Sequence, residues 1–226
     1  KLAGVMGWPI AQSKSHILHG YWLKSHGIDG AYIPMPIAPE NLGQAVAGLK
    51  AMGFAGWNIT APHKEAMAQL VDSVSADAKA IGAVNTVIRQ ADRTYLGHNT
   101  DAFGFMENLR WGHPGFSAKA KTVLLLGAGG ASRAVVYGLL QDGAEKILIA
   151  NRSIEKAEAL VQDFGPKCQA ITLDQASQAC ANAQILINGT SLGMTGKGDL
   201  PLAYEALPTD ALVTDLVYAP LETKLL

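Results

Sequence analysis

Short apolar runs alternate along the chain with stretches whose apolar residues recur every three to four positions. Residues 2–6, 32–37 and 56–60 read as strands. Between the first two, residues 15–26 carry Ile17, Leu18, Tyr21 and Trp22 on one helical face. Pro39 in a first turn leads a second helix with the stripe Leu42, Ala45, Val46 and Leu49. Pro62 is read as the start of another helix, and residues 84–89 and 94–96, joined around Asp92, as a β-hairpin. A helix from Ala102 to about Leu109 leads out of this region, and residues 111–121, with Gly112, Pro114 and Gly115, are the expected linker. A more regular series follows, with strands at 122–126, 146–150, 169–172, 184–188 and 212–216. Its helices carry the stripes Ala131/Ala134/Val135/Gly138/Leu139 and Ala157/Leu160/Val161/Phe164. Strand–helix alternation needs crossover connections, which favour largely parallel sheets covered on both faces. The expectation is a two-domain α/β protein: a mainly parallel-sheet domain over residues 1–103 and a Rossmann-like domain over residues 104–226.

Composition narrows the class. In 226 residues, 49% are hydrophobic and 16% charged, enough to bury a core. Eighteen Lys and Arg against nineteen Asp and Glu leave a net charge of −1, with no long run of either sign. That argues against a general electrostatic grip on nucleic acid or an anionic membrane. No apolar run approaches the ~20 residues of a membrane-spanning helix, and no leader pattern follows Lys1. Cys168 and Cys180 form no CxxC, and the six His have no ligand spacing, so neither a metal nor a disulfide is expected. These features suggest a soluble, cytoplasmic protein.

The strand at 122–126 runs into Gly127-Ala128-Gly129-Gly130-Ala131-Ser132-Arg133. Gly127 permits a tight turn, Gly129 lets backbone approach a pyrophosphate, and the next helix points its N–H groups at the anion. Ser132 takes the third small position of the fingerprint. A glycine triplet alone is a weak signal; between a strand and an amphipathic helix it reads as a dinucleotide site, with a purely structural turn as the alternative. At the tip of the second strand stand Asn151-Arg152-Ser153, with Lys156 one turn on, and no carboxylate is counted there. A guanidinium, a hydroxyl and an ammonium suit a 2′-phosphate, so NADP is the expected cofactor. The alternative is that Arg152 and Lys156 are ordinary solvated charges.

Asn58-Ile59-Thr60-Ala61-Pro62-His63-Lys64 lies at a strand end, where polar side chains of an α/β sheet face the ligand crevice. Lys64 is expected in the first turn of the Pro62 helix, where the dipole would disfavour its ammonium. Asp101, in Gly97-His98-Asn99-Thr100-Asp101, is expected to cap a helix.

Seven blocks in order resemble the shikimate dehydrogenase family across essentially the whole chain. They are Ser13-Lys14-Ser15, the Asn58–Lys64 run, Gly82-Ala83-Val84-Asn85-Thr86, residues 97–105, the Gly127 loop, Asn188-Gly189-Thr190-Ser191-Leu192-Gly193-Met194, and Asp215-Leu216-Val217-Tyr218 with Pro220. The resemblance implies reversible, NADPH-dependent reduction of 3-dehydroshikimate to shikimate, on the way to chorismate and aromatic amino acids. It implies that Lys64 and Asp101 are the catalytic pair and that Ser13 and Ser15, with Tyr218, hold the substrate carboxylate. Asn58, Thr60, Lys64, Asn85 and Asp101 would read the ring hydroxyls and the reacting oxygen. Gly127, Ala128, Gly129, Gly130, Ala131, Asn151, Arg152, Ser153 and Lys156 would hold the cofactor, with Thr190, Gly193 and Met194 beside the nicotinamide. No metal is implied, and the assembly is expected to be a monomer or homodimer.

The chain departs from the family pattern at His16, where Pro is usual, at Gly20, where Asn is usual, and at Ser153, where Thr is commoner. Relatives are also expected to continue past the position of Leu226, with helices that return to the first domain and carry a substrate-contacting Gln. A quinate-preferring dehydrogenase using NAD or NADP, and a catalytically silent NADPH-binding module, are the rival readings.

Overall fold

Strand order separates two halves of the chain in a computed structural model that describes all residues, Lys1–Leu226. The chain divides into two units, Lys1–Asp101 and Ala102–Leu226.

The first unit contains β1 (Leu2–Gly7), α1 (Ser15–Ser25), β2 (Ala31–Pro36), α2 (Leu42–Ala51), β3 (Gly56–Ile59), β4 (Ser73–Val74), α3 (Ala76–Ile81), β5 (Thr86–Arg89) and β6 (Tyr95–His98). Its sheet runs β2-β1-β3-β5-β6-β4. β1 pairs in parallel with β2 and β3, and β4 with β6, whereas β5 is antiparallel to both β3 and β6. The expected hairpin is β5–β6, and it makes this sheet mixed. Asp92 sets its turn by accepting from the Thr94 N–H and hydroxyl. Trp57, Ile59, Met6, Val46, Leu49, Val87 and Tyr95 form the core.

Two local expectations change here. The α1 helix forms, but none of its residues is buried; Ile17 and Tyr21 are 60% and 68% exposed. No α-helix starts at Pro62. The chain makes a turn through a cis Ala61–Pro62 bond, and only a 3₁₀ turn at Ala66–Gln69 follows. The cause is tertiary. The Lys64 carbonyl accepts from the Val84 N–H at 2.8 Å, and the fully packed His63 ring meets the Ile37 carbonyl at 2.7 Å. Backbone groups committed to neighbouring segments cannot also build a helical ladder.

The second unit contains α4 (Asp101–Gly112), which begins on the last residue of the first unit, then β7 (Thr122–Leu126), α5 (Gly130–Gln141), β8 (Lys146–Ala150), α6 (Ile154–Phe164), β9 (Cys168–Ile171), α7 (Leu173–Ala179), β10 (Ile185–Asn188) and β11 (Leu212–Asp215). All pairings in the sheet β11-β10-β7-β8-β9 are parallel. Strands buried on both faces need apolar residues throughout, which is why β7 and β10 read as unbroken apolar runs. The segment expected as a linker belongs to this unit instead: α4 extends to Gly112, and Leu109, Phe116 and Ala118 pack with Val135 and Leu139. Gly138 allows that crossing, since a Cβ there would lie 2.9 Å from Met106 Cγ. The short α7 starts with a capping box between Thr172 and Gln175. No helix is long and apolar enough to cross a membrane.

Candidate active site

In the first unit, polar side chains meet where β3, β5 and the loop after β6 adjoin. Asn99 pins that loop: its Nδ2 donates to the Ala83 carbonyl, and its Oδ1 accepts from the Asp101 N–H, both at 2.9 Å. Asp101 is the first residue of α4 and does not act as its cap. Its carboxylate turns to other partners, Oδ2 accepting from Lys64 Nζ at 2.6 Å and Oδ1 from Asn85 Nδ2 at 2.7 Å. The Lys64 and Asp101 side chains are 16% and 29% exposed, so the pair is shielded yet open on one side. Lys64 sits in a turn and not in the first turn of a helix of its own, as the sequence suggested; its ammonium meets the carboxylate of Asp101, the first residue of α4.

Asn58, on β3, joins the same cluster through Thr86. Its Nδ2 donates to Thr86 Oγ1 at 3.0 Å, and Thr86 Oγ1 donates to Asn85 Oδ1 at 2.9 Å. Tyr32 donates to Asn58 Oδ1 at 2.7 Å. Burial pushes the Tyr32 phenol far above its ordinary pKa, so it remains a donor. Tyr32, Thr86, Thr100 and Asn99 were not anticipated as site residues. Three of them lie within motif blocks already noted, whereas Tyr32 read only as part of a strand. Ser13 and Ser15 form a separate pair: the Ser13 hydroxyl donates to Ser15 Oγ at 3.2 Å and accepts from the Ser15 N–H at 3.3 Å. Thr60 is held by its backbone, donating to the Met6 carbonyl and accepting from the His63 N–H. Tyr218 lies in the second unit and is 56% exposed.

In the second unit the loop after β7 has the shape a pyrophosphate needs. Gly127 sits at φ +102°, and a Cβ there would meet the Gly189 backbone at 2.9 Å. A side chain on Gly189 would in turn lie 2.7 Å from Ser132 Oγ, which explains a small residue at the third fingerprint position. Gly129, the N-cap of α5, brings no side-chain cap, and no atom lies within 4 Å of where its Cβ would be. The first N–H groups of α5, beginning at Gly130 and Ala131 after the buried Ala128, have no side-chain cap, and the open space beside Gly129 fits a dinucleotide phosphate. The turn after β10 is tied by Asn188, whose Oδ1 accepts from the Thr190 N–H and hydroxyl and whose Nδ2 donates to Leu192 and Asp215. Gly193, at φ +87°, and Met194 follow in that turn.

At the tip of β8, Asn151, Arg152, Ser153, Glu155, Lys156 and Asp174 line an open cleft of about 670 Å³. Asn151 Nδ2 holds the Ser153 carbonyl at 2.9 Å. The Arg152 and Lys156 side chains are exposed and belong to none of the chain's salt bridges. No carboxylate stands at the strand tip itself, but one from the first turn of α6 reaches back to it. Ser153 gives its hydroxyl to Glu155 Oε2 at 2.8 Å instead of capping α6, and that bond lowers the Glu155 carboxyl below the ordinary range. Glu155 is in the first turn of α6, where the dipole favours a negative charge.

Comparison with known proteins matches these two halves. Residues 5–87 fit the shikimate dehydrogenase substrate binding domain, and residues 113–194 the shikimate / quinate 5-dehydrogenase family. The shikimate dehydrogenase (NADP(+)) of Paramagnetospirillum magneticum is 47% identical over 226 residues, covering 100% of this chain and 82% of the relative. The crystal structure of shikimate dehydrogenase from Aquifex aeolicus superposes with a TM-score of 0.89 at 37% identity, over 100% of this chain and 81% of that one. Quinate dehydrogenase from Corynebacterium glutamicum in complex with NAD gives 0.89 at 30% identity, over 99% and 82%. Fold and loops together define an NADP-linked oxidoreductase of two α/β units. The chain belongs to the shikimate dehydrogenase family.

Proposed function

We propose that this protein catalyses the reversible, NADP-linked interconversion of 3-dehydroshikimate and shikimate, with Lys64 and Asp101 as its catalytic pair. The observation that carries this reading is the Lys64–Asp101–Asn85 arrangement, a partly shielded ammonium held at 2.6 Å by a carboxylate that is itself anchored. A nicotinamide held beside Thr190, Gly193 and Met194 would supply or accept the hydride at the ring carbon. Reduction of the ketone leaves an alkoxide, which Lys64 protonates; in the reverse direction neutral Lys64 removes the hydroxyl proton. Asp101 aims Lys64 and balances its charge. Gly127, Gly129, Gly130 and Ala131 would hold the pyrophosphate, and Arg152, Ser153 and Lys156 the 2′-phosphate. The Ser13–Ser15 pair offers neutral donors suited to a monocarboxylate, with Tyr218 assigned to the same group by family resemblance. The buried, unpaired Cys168 and Cys180 support a reducing, cytoplasmic setting.

Quinate turnover with NAD has one feature in its favour, the Glu155 carboxylate, which could accept from a ribose 2′-OH. Steady-state rates for shikimate and quinate, each with NADP and NAD, test the choice. The reading expects shikimate with NADP to have the highest kcat/KM by at least an order of magnitude; a quinate–NAD maximum would replace it with the second reading.

A further inference from the structure

The hydrogen bonds between Asn58 and Asp101 have directions that can be deduced without seeing a proton. The Thr100 backbone N–H meets Asn85 Oδ1 at 3.0 Å, and a backbone N–H can only donate. That fixes the Asn85 amide, with its carbonyl toward Thr100 and its Nδ2 toward Asp101 Oδ1. Thr86 Oγ1, at 2.9 Å from the same carbonyl oxygen, must therefore donate to it. Its one proton spent, Thr86 can only accept from Asn58, so Asn58 turns Nδ2 to Thr86 and Oδ1 to the Tyr32 hydroxyl. The second Nδ2 proton of Asn58 is directed at the backbone carbonyl of Asn85, 3.4 Å away. The one unused hydrogen-bonding position on the Asn58 side chain is a lone pair of Oδ1.

We propose that Thr86 is a positioning residue that holds Asn58 as a pure hydrogen-bond acceptor, so that the substrate meets Asn58 with a hydroxyl and never with its ketone. The proposal rests on the reading that Asn58 contacts substrate. A ketone oxygen has no proton to give, and against a fixed amide carbonyl it would be an acceptor facing an acceptor. The reacting oxygen is thereby steered to the donor side of the site, which is Lys64, and a ring hydroxyl unchanged by the reaction is left for Asn58. Asn85 also holds Asp101 and transmits direction to Thr86, since its side-chain carbonyl and amide meet Thr86, Thr100 and Asp101. The polarity of the cluster is thus set at the Asp101 end and read out at Asn58.

The test replaces Thr86 by Val, which keeps the shape and removes the hydroxyl, and by Ser, which restores it. Without the Thr86 hydroxyl, the orientation of the Asn58 amide rests on the long 3.4 Å contact to the Asn85 backbone carbonyl alone, since the Tyr32 hydroxyl can donate or accept, and flipped amides that present N–H to the substrate become accessible. The expected result is a KM for shikimate raised roughly tenfold in Thr86→Val, with kcat within about threefold of wild type, and a return toward wild type in Thr86→Ser. Simple loss of folded protein would lower kcat and leave KM in place. If Thr86→Val does not fold, Thr86→Ala, which only removes atoms, is read instead. An unchanged KM in the folded hydroxyl-free variant, or a Ser variant as impaired as Val, would overturn the proposal. Asn58→Ala separates the two levels. A raised KM there with none in Thr86→Val removes the role of Thr86 alone, whereas an unchanged KM in Asn58→Ala removes both the substrate contact and the proposal built on it.

Discussion

Lys64 Nζ and Asp101 Oδ2 lie 2.6 Å apart, and the other oxygen of that carboxylate is taken by Asn85. Each Asp101 oxygen therefore has its own donor, and the carboxylate cannot rotate without breaking one of the two bonds. Its partner is aimed rather than merely neutralised. Replacing Asp101 by Asn keeps the size and removes the charge, and kcat should fall by roughly 10²–10⁴, the range of general acid–base groups. The pair is partly open to solvent, so the melting temperature should move little. A large stability loss with normal kcat per folded molecule would make the pair structural.

Arg152 stands free at the cleft beside Ser153 and Lys156. Arg152→Ala should weaken NADP by about tenfold or somewhat more and leave NAD nearly unchanged, since hydrogen bonds to charged groups contribute ~1.5–3 kcal/mol, discounted for exposure. The contact is screened, so the wild-type preference should shrink as salt rises. Equal losses for both cofactors, in direct binding titrations, would move the 2′-phosphate elsewhere.

Glu155 works against that preference. It occupies the Ser153 hydroxyl at 2.8 Å and adds a negative charge where a dianion would sit. Glu155→Gln should tighten NADP by about two- to fivefold, the scale of an exposed charge interaction, without tightening NAD. Weaker NADP binding in this variant would mean that the carboxylate organises the cleft instead of opposing the phosphate.

Asp142 makes stability pH-dependent. Burial would raise its carboxyl, but donation from the Ala118 N–H, the Arg110 guanidinium and the Ser117 hydroxyl outweighs burial and holds it below the ordinary range. A lowered carboxyl contributes stability above the unfolded-state pKa of about 4, and loses it as pH falls through the folded value. Thermal melts should thus weaken below about pH 4, and Asp142→Asn should start lower at neutral pH and lose less on acidification. Parallel acid curves for both proteins would remove Asp142 from the account.

The strands of the second unit were legible to within a residue, whereas α7 and the packing of residues 111–121 were not. β7 and β8 are doubly buried, so their apolar runs end where the sheet ends, and Gly127 and Asn151 mark those ends. The first unit was less so. The Pro62 segment has a helix-like sequence, yet Lys64 and His63 are bonded to Val84 and Ile37, partners that local pattern cannot reveal. α3 carried its signals, with Ser75 as cap and Gly82 at φ +72°, but is too short to show a stripe. Of the site, motif resemblance gave Asn58, Lys64, Asn85 and Asp101. The links between them run through Thr86 and Tyr32, whose roles depend on the register that sets Asn58 opposite Thr86.

The central claim is that Lys64 moves the proton that accompanies hydride transfer between 3-dehydroshikimate and shikimate. The direct measurement is kcat of Lys64→Ala for shikimate oxidation with NADP, under conditions where chemistry limits turnover and with NADP binding measured separately. The account predicts a fall of roughly 10²–10⁴ in kcat, a much smaller change in KM, and unaltered NADP affinity. A folded Lys64→Ala enzyme that turns shikimate over at the wild-type rate would contradict it.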